Sequence, residues 1–135
     1  MTIYNTLIIG AGKIGALFDV PDSENVLTHA HGFRRHVGFK LLGFIDSDFH
    51  KAQIAAERWN CLAFKNIEEA FNHNKIDVVS VTVPDEHHYS ILYQLSAFPI
   101  ICFKDFGSYV TGQALHKILH LSCFSDLFPG FNEFG

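Results

Sequence analysis

Three glycines near the start of the chain have a spacing that suits phosphate binding. Gly10, Gly12 and Gly15 form the pattern G-x-G-x-x-G directly after the apolar residues 3–9. The apolar run predicts a buried strand, and strand, glycines and helix in this order are typical of a dinucleotide site. The first glycine permits a tight turn, the second lets a pyrophosphate approach the backbone, and the third lets the helix pack against the sheet. The loop residues predicted to contact the cofactor are Gly10, Ala11, Gly12, Lys13, Ile14 and Gly15.

An aspartate ends the second predicted strand, residues 39–45. The carboxylate of Asp46 can accept hydrogen bonds from ribose hydroxyls and would repel a 2′-phosphate, so NAD is favoured over NADP. Its distance from the glycines exceeds the usual figure of roughly 20 residues, and the polar loop 19–28 accounts for the extra length. The alternatives are a glycine turn without a ligand and an acidic helix cap beside Ser47 and Asp48.

Apolar runs alternate with helical segments along the chain. Such alternation requires parallel strands joined by right-handed crossovers, which predicts an α/β protein with a Rossmann-type, doubly wound parallel sheet. Thr28 and Asp48 are predicted to cap helices, and Tyr89, Leu92 and Tyr93 to share one side of a helix. The predicted strands are 3–9, 39–45, 61–64, 77–83 and 100–103, and the predicted helices are 16–18, 28–36, 48–59, 67–71, 86–97 and 111–121.

The composition excludes several classes of partner. The 135 residues carry a net charge of −4, so the chain lacks the net positive charge that favours binding to nucleic acid or an anionic membrane. The apolar runs are too short to span a bilayer, and we expect no signal peptide before the first strand. The three cysteines, Cys61, Cys102 and Cys123, are interpreted as reduced thiols of a cytoplasmic protein. His116 and His120 have helical spacing but no third ligand, so no metal is predicted.

The order of these motifs resembles one enzyme family, the glucose-fructose oxidoreductase, inositol dehydrogenase and MocA-like oxidoreductases (Gfo/Idh/MocA). The likeness covers nearly the whole chain but only the N-terminal, cofactor-binding half of such enzymes. The stretch Thr28-His29-Ala30 is similar to the variant in members that act on sugars. Besides the glycine loop and Asp46, the residues that carry the resemblance are Val83, Pro84, Asp85, His88 and Lys104.

The resemblance implies hydride transfer between NAD(P) and a carbinol carbon of a sugar or polyol. It places the turn Val83-Pro84-Asp85 and His88 at the cofactor, and Lys104 near the nicotinamide as the catalytic candidate. The family's Thr-Pro-Asn is replaced by that turn, and of its Glu-Lys-Pro only the lysine remains, between Phe103 and Asp105. The alternatives are a solvated lysine at a strand end and a histidine that only begins a helix.

The resemblance also predicts the domain organisation. Residues 1–123 would form the NAD(P)-binding domain and residues 124–135 a Phe-rich tail leading into an inter-domain crossover. Because the family's substrate domain is expected to be absent, we expect negligible dehydrogenase activity from the chain alone. The alternative is a non-catalytic nucleotide-binding remnant, or a module completed by a partner polypeptide. The tail would mediate self-association or docking to another chain, or else fold back as a sixth edge strand.

Overall fold

Strands and helices alternate throughout residues 2–104, which are the residues that the computed structural model describes. The strands are β1 (Tyr4–Ile9), β2 (Phe39–Ile45), β3 (Leu62–Phe64), β4 (Val78–Val81) and β5 (Ile101–Lys104). The helices are α1 (His29–Arg35), α2 (Phe49–Trp59), α3 (Ile67–His73) and α4 (Asp85–Leu95), and a π-helical segment, Lys13–Leu17, precedes them. The predicted helix 111–121, the tail and Cys123 lie outside the described residues.

The strands form one parallel sheet in the order β3-β2-β1-β4-β5. The chain builds one half outward from β1 to β3, then crosses back to place β4 on the other side of β1. The strand order therefore reverses between β1 and β4, and sheets of this kind bind their ligands outside the carboxyl ends of the strands at such a point. The predicted doubly wound parallel sheet is confirmed.

Each face of the sheet carries its own core. Because successive side chains of a strand point to opposite faces, Ile8 belongs to one core and its neighbours Leu7 and Ile9 to the other. The first core contains buried side chains of α1 and α2, and the second contains those of α3 and α4. The largest members of the first core are Phe33, Phe44 and Trp59, and the second includes Ile67, Val79, Val81, Leu92 and Leu95.

Helix α4 buries only part of the side on which Tyr89, Leu92 and Tyr93 are predicted to lie. The buried residues of this helix include His88, Leu92 and Leu95, which recur at helical spacing. The three residues predicted to share a side differ in exposure, because Leu92 is buried whereas Tyr89 and Tyr93 are 81% and 73% exposed. The boundary of the apolar face falls between Leu92 and the two tyrosines.

Both predicted helix caps are confirmed. The Thr28 hydroxyl accepts a hydrogen bond from the His31 backbone N–H at 3.1 Å, at the start of α1. The Asp48 carboxylate accepts one from the His50 N–H at 3.0 Å, at the start of α2. Each cap satisfies one of the backbone donors that the first turn of a helix leaves without an intrahelical partner.

The loop between the π-helical segment and α1 is closed at its base by Asp19. One carboxylate oxygen accepts a hydrogen bond from the Thr28 hydroxyl at 2.6 Å, and the other accepts one from the Leu27 N–H at 2.7 Å and lies 2.8 Å from His31 Nδ1. Burial alone would raise the pKa of Asp19. The hydrogen bonds from Thr28, Leu27 and His31, together with the charge of His31, outweigh burial and hold that pKa below its usual range.

Two side chains of α2 hold the end of the π-helical segment. The buried indole of Trp59 donates its Nε1–H to the Ala16 carbonyl at 2.8 Å. The Arg58 guanidinium donates to the carbonyls of Leu17 and Asp19, at 3.0 and 3.2 Å. No further helical turn follows that could donate hydrogen bonds to these carbonyls. The two side chains of α2 donate them instead.

We expect Asp19→Asn to lower the free energy of unfolding at pH 7 by roughly 1.5–3 kcal/mol, because hydrogen bonds to a charged group are weakened. The lowered pKa means that the charge of Asp19 stabilises the fold above the unfolded-state value of about 3.9, and that this stabilisation is lost as the pH falls through the folded-state value. The difference in unfolding free energy between Asp19→Asn and the unmodified chain should therefore become smaller below about pH 4. Denaturant unfolding across pH measures it.

The matched control is Asp22→Asn, which changes an exposed carboxylate in the same loop. It should leave the unfolding free energy unchanged at every pH. An Asp19→Asn protein as stable as the unmodified chain at pH 7 would show that the base of the loop contributes nothing.

Candidate functional site

The carboxyl ends of four neighbouring strands lie in one row. Ile9, the last residue of β1, pairs with Ile45 at the end of β2 and with Val81 at the end of β4. Val81 in turn pairs with Lys104, the last residue of β5. The residues that follow these strands must therefore meet at a single edge of the sheet, at the point where the strand order reverses.

Gly10, the first residue after β1, has a backbone conformation that favours glycine. Its φ is +111°, and a Cβ added to it would lie 2.7 Å from the Thr82 hydroxyl oxygen. Its N–H donates to the Ile45 carbonyl at 2.7 Å, and its own carbonyl accepts from the Thr82 hydroxyl at 2.7 Å. The turn off β1 is thus bonded to both neighbouring strand ends, and no larger side chain fits there.

Asp46, the first residue after β2, lies beside the glycine loop. One of its carboxylate oxygens accepts a hydrogen bond from the Ala11 N–H at 2.8 Å, and the other accepts one from the Asp48 N–H at 2.9 Å. The side chain is half-buried. A carboxylate has about four acceptor sites, so two protein donors leave Asp46 able to accept further hydrogen bonds from a ligand.

The other two glycines differ in what surrounds them. A Cβ added to Gly12 would meet no atom within 4 Å, and its φ of −90° is accessible to any residue. A Cβ added to Gly15 would lie 2.4 Å from the Gly10 carbonyl oxygen and 2.6 Å from the Thr82 hydroxyl. The protein itself therefore requires a glycine at position 15, whereas at position 12 it leaves open space of the kind that a bound group would fill.

The helix that follows the loop begins earlier than predicted and has a different geometry. The sequence predicts a helix at 16–18, and the structure has a π-helical segment at Lys13–Leu17. The Gly12 carbonyl accepts hydrogen bonds from Ala16 and Leu17, at 3.0 and 3.1 Å. Within residues 2–104, the backbone N–H groups of residues 12–15 have no backbone partner, and such groups can donate to an anion.

The turn after β4 forms the opposite side of this edge. Val83 is half-buried, and Pro84 is exposed directly before α4. The imidazole of His88 is buried, and its Nε2 donates to the Val83 carbonyl. His88 therefore holds the turn through this hydrogen bond. Asp85 is the first residue of α4, and Lys104 reaches the same edge through the register of β5.

Thr82 contacts the glycine loop directly, although no sequence motif singles it out. Its hydroxyl is 2.7 Å from the Gly10 carbonyl oxygen, and its side chain is buried. The available signal was its place in the chain, a hydroxyl residue immediately before Val83-Pro84. Its partner lies 72 residues away, so no local pattern indicates the contact.

Two cysteines, Cys61 and Cys102, lie within the described residues. Burial raises the pKa of the free Cys61 thiol to about 12, in spite of the opposing charge of Arg34, and burial raises the pKa of Cys102 to about 12 as well. Both thiols are thus poor nucleophiles at neutral pH. In the part of the chain that the structure describes, no three His, Cys, Asp or Glu side chains group as metal ligands. No helix in that part is long and apolar enough to cross a membrane.

The fold and the loop together define a dinucleotide-binding Rossmann domain. The family model described as "Oxidoreductase family, NAD-binding Rossmann fold" (GFO_IDH_MocA) matches residues 4–99. The chain therefore belongs to the Gfo/Idh/MocA family, as its motif order predicts, and NAD is its class of cofactor. No curated protein matches the chain.

Solved structures share this fold. UDP-N-acetylglucosamine 3-dehydrogenase GnnA from Acidithiobacillus ferrooxidans has a TM-score of 0.65 at 17% identity, over 94% of this chain and 36% of its own. An NAD binding oxidoreductase from Klebsiella pneumoniae has a TM-score of 0.65 at 22% identity, over 86% and 30%. GenD2 from gentamicin A biosynthesis, solved in complex with NAD, has a TM-score of 0.62 at 17% identity, over 77% and 27%. The chain thus spans about a third of the length of these proteins.

Proposed function

We propose that the glycine loop and Asp46 bind NAD, and that the whole protein transfers a hydride between NAD and a carbinol carbon of a sugar or polyol. The proposal is supported chiefly by the open space at Gly12. This space lies next to the N–H groups of residues 12–15, which have no backbone partner among residues 2–104. The preceding residue, Ala11, donates its N–H to Asp46. This arrangement fits a pyrophosphate at the backbone and a ribose at the carboxylate.

The cofactor's phosphates are assigned to the glycine loop. The N–H groups of residues 12–15 would donate to the pyrophosphate, with Gly12 giving it access to the backbone. Ala11 and Ile14 would contribute backbone contacts, and the exposed Lys13 lies where its ammonium can approach a phosphate. Gly10 and Gly15 would shape the loop, since each has no room for a side chain.

The adenosine ribose is assigned to Asp46. Its remaining acceptor sites suit two vicinal hydroxyls, and its negative charge disfavours the 2′-phosphate of NADP. The Ala11 N–H orients the carboxylate toward the loop, so the same side chain both holds the loop and would recognise the ribose.

The nicotinamide end is assigned to the turn after β4 and to the end of β5. Bound NAD supplies the hydride acceptor or donor, and the chain's own residues hold it. Val83, Pro84 and Asp85 would line the crevice, and His88 would fix the turn through the Val83 carbonyl. We propose Lys104 as the site residue nearest the reaction, because β5 ends in the same row as β1 and β4.

In the whole protein, assayed with NAD and a sugar or polyol that it oxidises, Lys104→Met should abolish turnover while NADH binding persists. Retained turnover would contradict this role.

Sugar-type substrates are supported by a structural neighbour and by a sequence resemblance. The neighbour is named as a UDP-N-acetylglucosamine 3-dehydrogenase. The stretch Thr28-His29-Ala30, which forms the buried start of α1 and its cap, resembles the variant in family members that act on sugars. We also propose a cytoplasmic location, a cofactor domain at 1–123, and self-association or partner binding through the tail 124–135. Light scattering over a concentration series tests the last of these.

Gly12→Val should abolish NADH binding while leaving the fold intact, because a Cβ at this position meets no protein atom within 4 Å and the side chain extends into the space assigned to the pyrophosphate. Calorimetric titration of the full chain measures binding, and thermal unfolding checks the fold. Gly12→Ala, with a smaller side chain, should weaken binding less. Absence of NADH binding by the unmodified chain at millimolar concentration would contradict the proposed function, and equal binding by Gly12→Val would contradict the phosphate assignment.

Asp46→Asn should weaken NADH binding about tenfold, the loss of roughly one charge-assisted hydrogen bond, and should raise the affinity for NADPH relative to NADH. The asparagine oxygen can still accept from the Ala11 N–H, so the loop remains held. Asp48→Asn is the matched control, because asparagine is an equally good cap for α2. An unchanged NADPH to NADH affinity ratio in Asp46→Asn would show that Asp46 does not contact the ribose.

A further inference from the structure

One peptide group of the glycine loop is held at both ends. The peptide that joins Gly10 to Ala11 accepts a hydrogen bond at its carbonyl oxygen from the Thr82 hydroxyl, at 2.7 Å. Its N–H donates to the Asp46 carboxylate, at 2.8 Å. The two partners come from opposite neighbours of β1, since Asp46 follows β2 and Thr82 follows β4. Two side chains from outside the loop therefore hold this peptide plane.

We propose that Thr82 is a positioning residue for the cofactor: its hydroxyl fixes the Gly10–Ala11 peptide and so keeps the loop in the conformation that binds NAD. This inference rests on the proposed function, because the loop's ligand is the NAD assigned above. Thr82 contacts the loop and not the assigned phosphate position, so its effect on the cofactor is transmitted through Gly10.

The position of the hydroxyl is itself determined by the sheet. The Thr82 N–H donates to the Ile9 carbonyl at 2.8 Å, which extends the pairing of β1 with β4 by one residue. The side chain is only 9% exposed, and its oxygen is also 3.3 Å from the Ile9 carbonyl oxygen. A threonine held by its backbone in a buried site has few rotamers available, so its hydroxyl is a fixed donor.

The same oxygen borders both ends of the loop. It lies 2.7 Å from the place that a Cβ of Gly10 would take, and 2.6 Å from the place that a Cβ of Gly15 would take. Thr82 therefore fills the volume that the two glycines leave empty. Gly10, with a φ of +111°, has unusual backbone freedom, and the hydrogen bond from Thr82 removes that freedom in the folded chain.

The two hydrogen bonds on this peptide support each other. Donation to a carbonyl oxygen polarises the amide and strengthens its N–H as a donor, here to Asp46. Removal of the Thr82 hydroxyl leaves the buried Gly10 carbonyl without that donor and weakens the hold on Asp46. The loop then has to be ordered when the cofactor binds, and that ordering lowers affinity.

Calorimetric NADH titration of the full chain tests the proposal. Thr82→Val replaces the hydroxyl with a methyl group at nearly constant volume and should weaken NADH binding about tenfold. Thr82→Ser keeps the hydroxyl and should bind within about twofold of the unmodified chain. The matched control is Thr6→Val, which makes the same replacement at a buried threonine of β1 whose hydroxyl does not contact the loop, and it should also bind within about twofold.

Amide hydrogen exchange of the ligand-free chain provides a second readout that does not depend on NADH. Exchange at Ala11, whose N–H is bonded to Asp46, should be faster in Thr82→Val than in the unmodified chain, and unchanged in Thr82→Ser and Thr6→Val. If Thr82→Val does not fold, Thr82→Ala serves as the second variant without a hydroxyl. Unchanged exchange together with NADH affinity within twofold would overturn the proposal.

The two readouts separate the failure of this proposal from that of the proposed function. If the unmodified chain does not bind NADH, the proposed function fails and exchange alone decides the role of Thr82 in ordering the loop. If the unmodified chain binds and the hydroxyl-free variants bind equally well, NAD binding stands and the role of Thr82 is wrong. Rescue by serine but not by alanine or valine in both readouts supports it.

Discussion

The site depends on the parallel register that places Ile45, Ile9 and Val81 side by side. Each of these residues is the last of its strand, so the next residue of each chain segment leaves the sheet at the same level. A shift of any strand by one residue would turn its apolar side chains to the other face, and the two cores of the sheet exclude that. Burial of Leu7, Ile8 and Ile9 fixes the register of β1. That register in turn brings Gly10, Asp46 and Thr82 together at the edge of the sheet.

The glycine loop relies on neighbouring elements because its own helix is so short. Five π-helical residues provide few internal hydrogen bonds, and the carbonyls at their end are paired by Trp59 and Arg58 of α2 instead. At the other end, Asp46 and Thr82 hold the first peptide of the loop. The loop and its π-helical segment are therefore ordered by side chains that are distant in sequence, while they contribute few hydrogen bonds themselves.

Features that depend on local sequence could be predicted, and those that depend on distant partners could not. The strands, both caps and the glycine spacing are visible within short windows, since periodicity and capping are local properties. The π-helical geometry leaves no such pattern. Tyr89 and Tyr93 resemble core residues in a short window, yet they are exposed while Leu92 beside them is buried. Thr82 has an ordinary position in a β-branched strand, and only the folded sheet shows that it contacts Gly10.

The closed base of the loop at Asp19 has a consequence for how this fold can change in length. The Asp19 carboxylate accepts hydrogen bonds from Thr28 and Leu27. Residues 20–26 therefore form a loop, here called the excursion, whose two ends are held together. The entropic cost of lengthening such an excursion rises only with the logarithm of its length, by about 0.6 kcal/mol per doubling. Its tip, around the exposed Pro21 and Asp22, is therefore a natural place for inserted segments, since the hydrogen bonds beneath it keep α1 in place whatever the excursion carries.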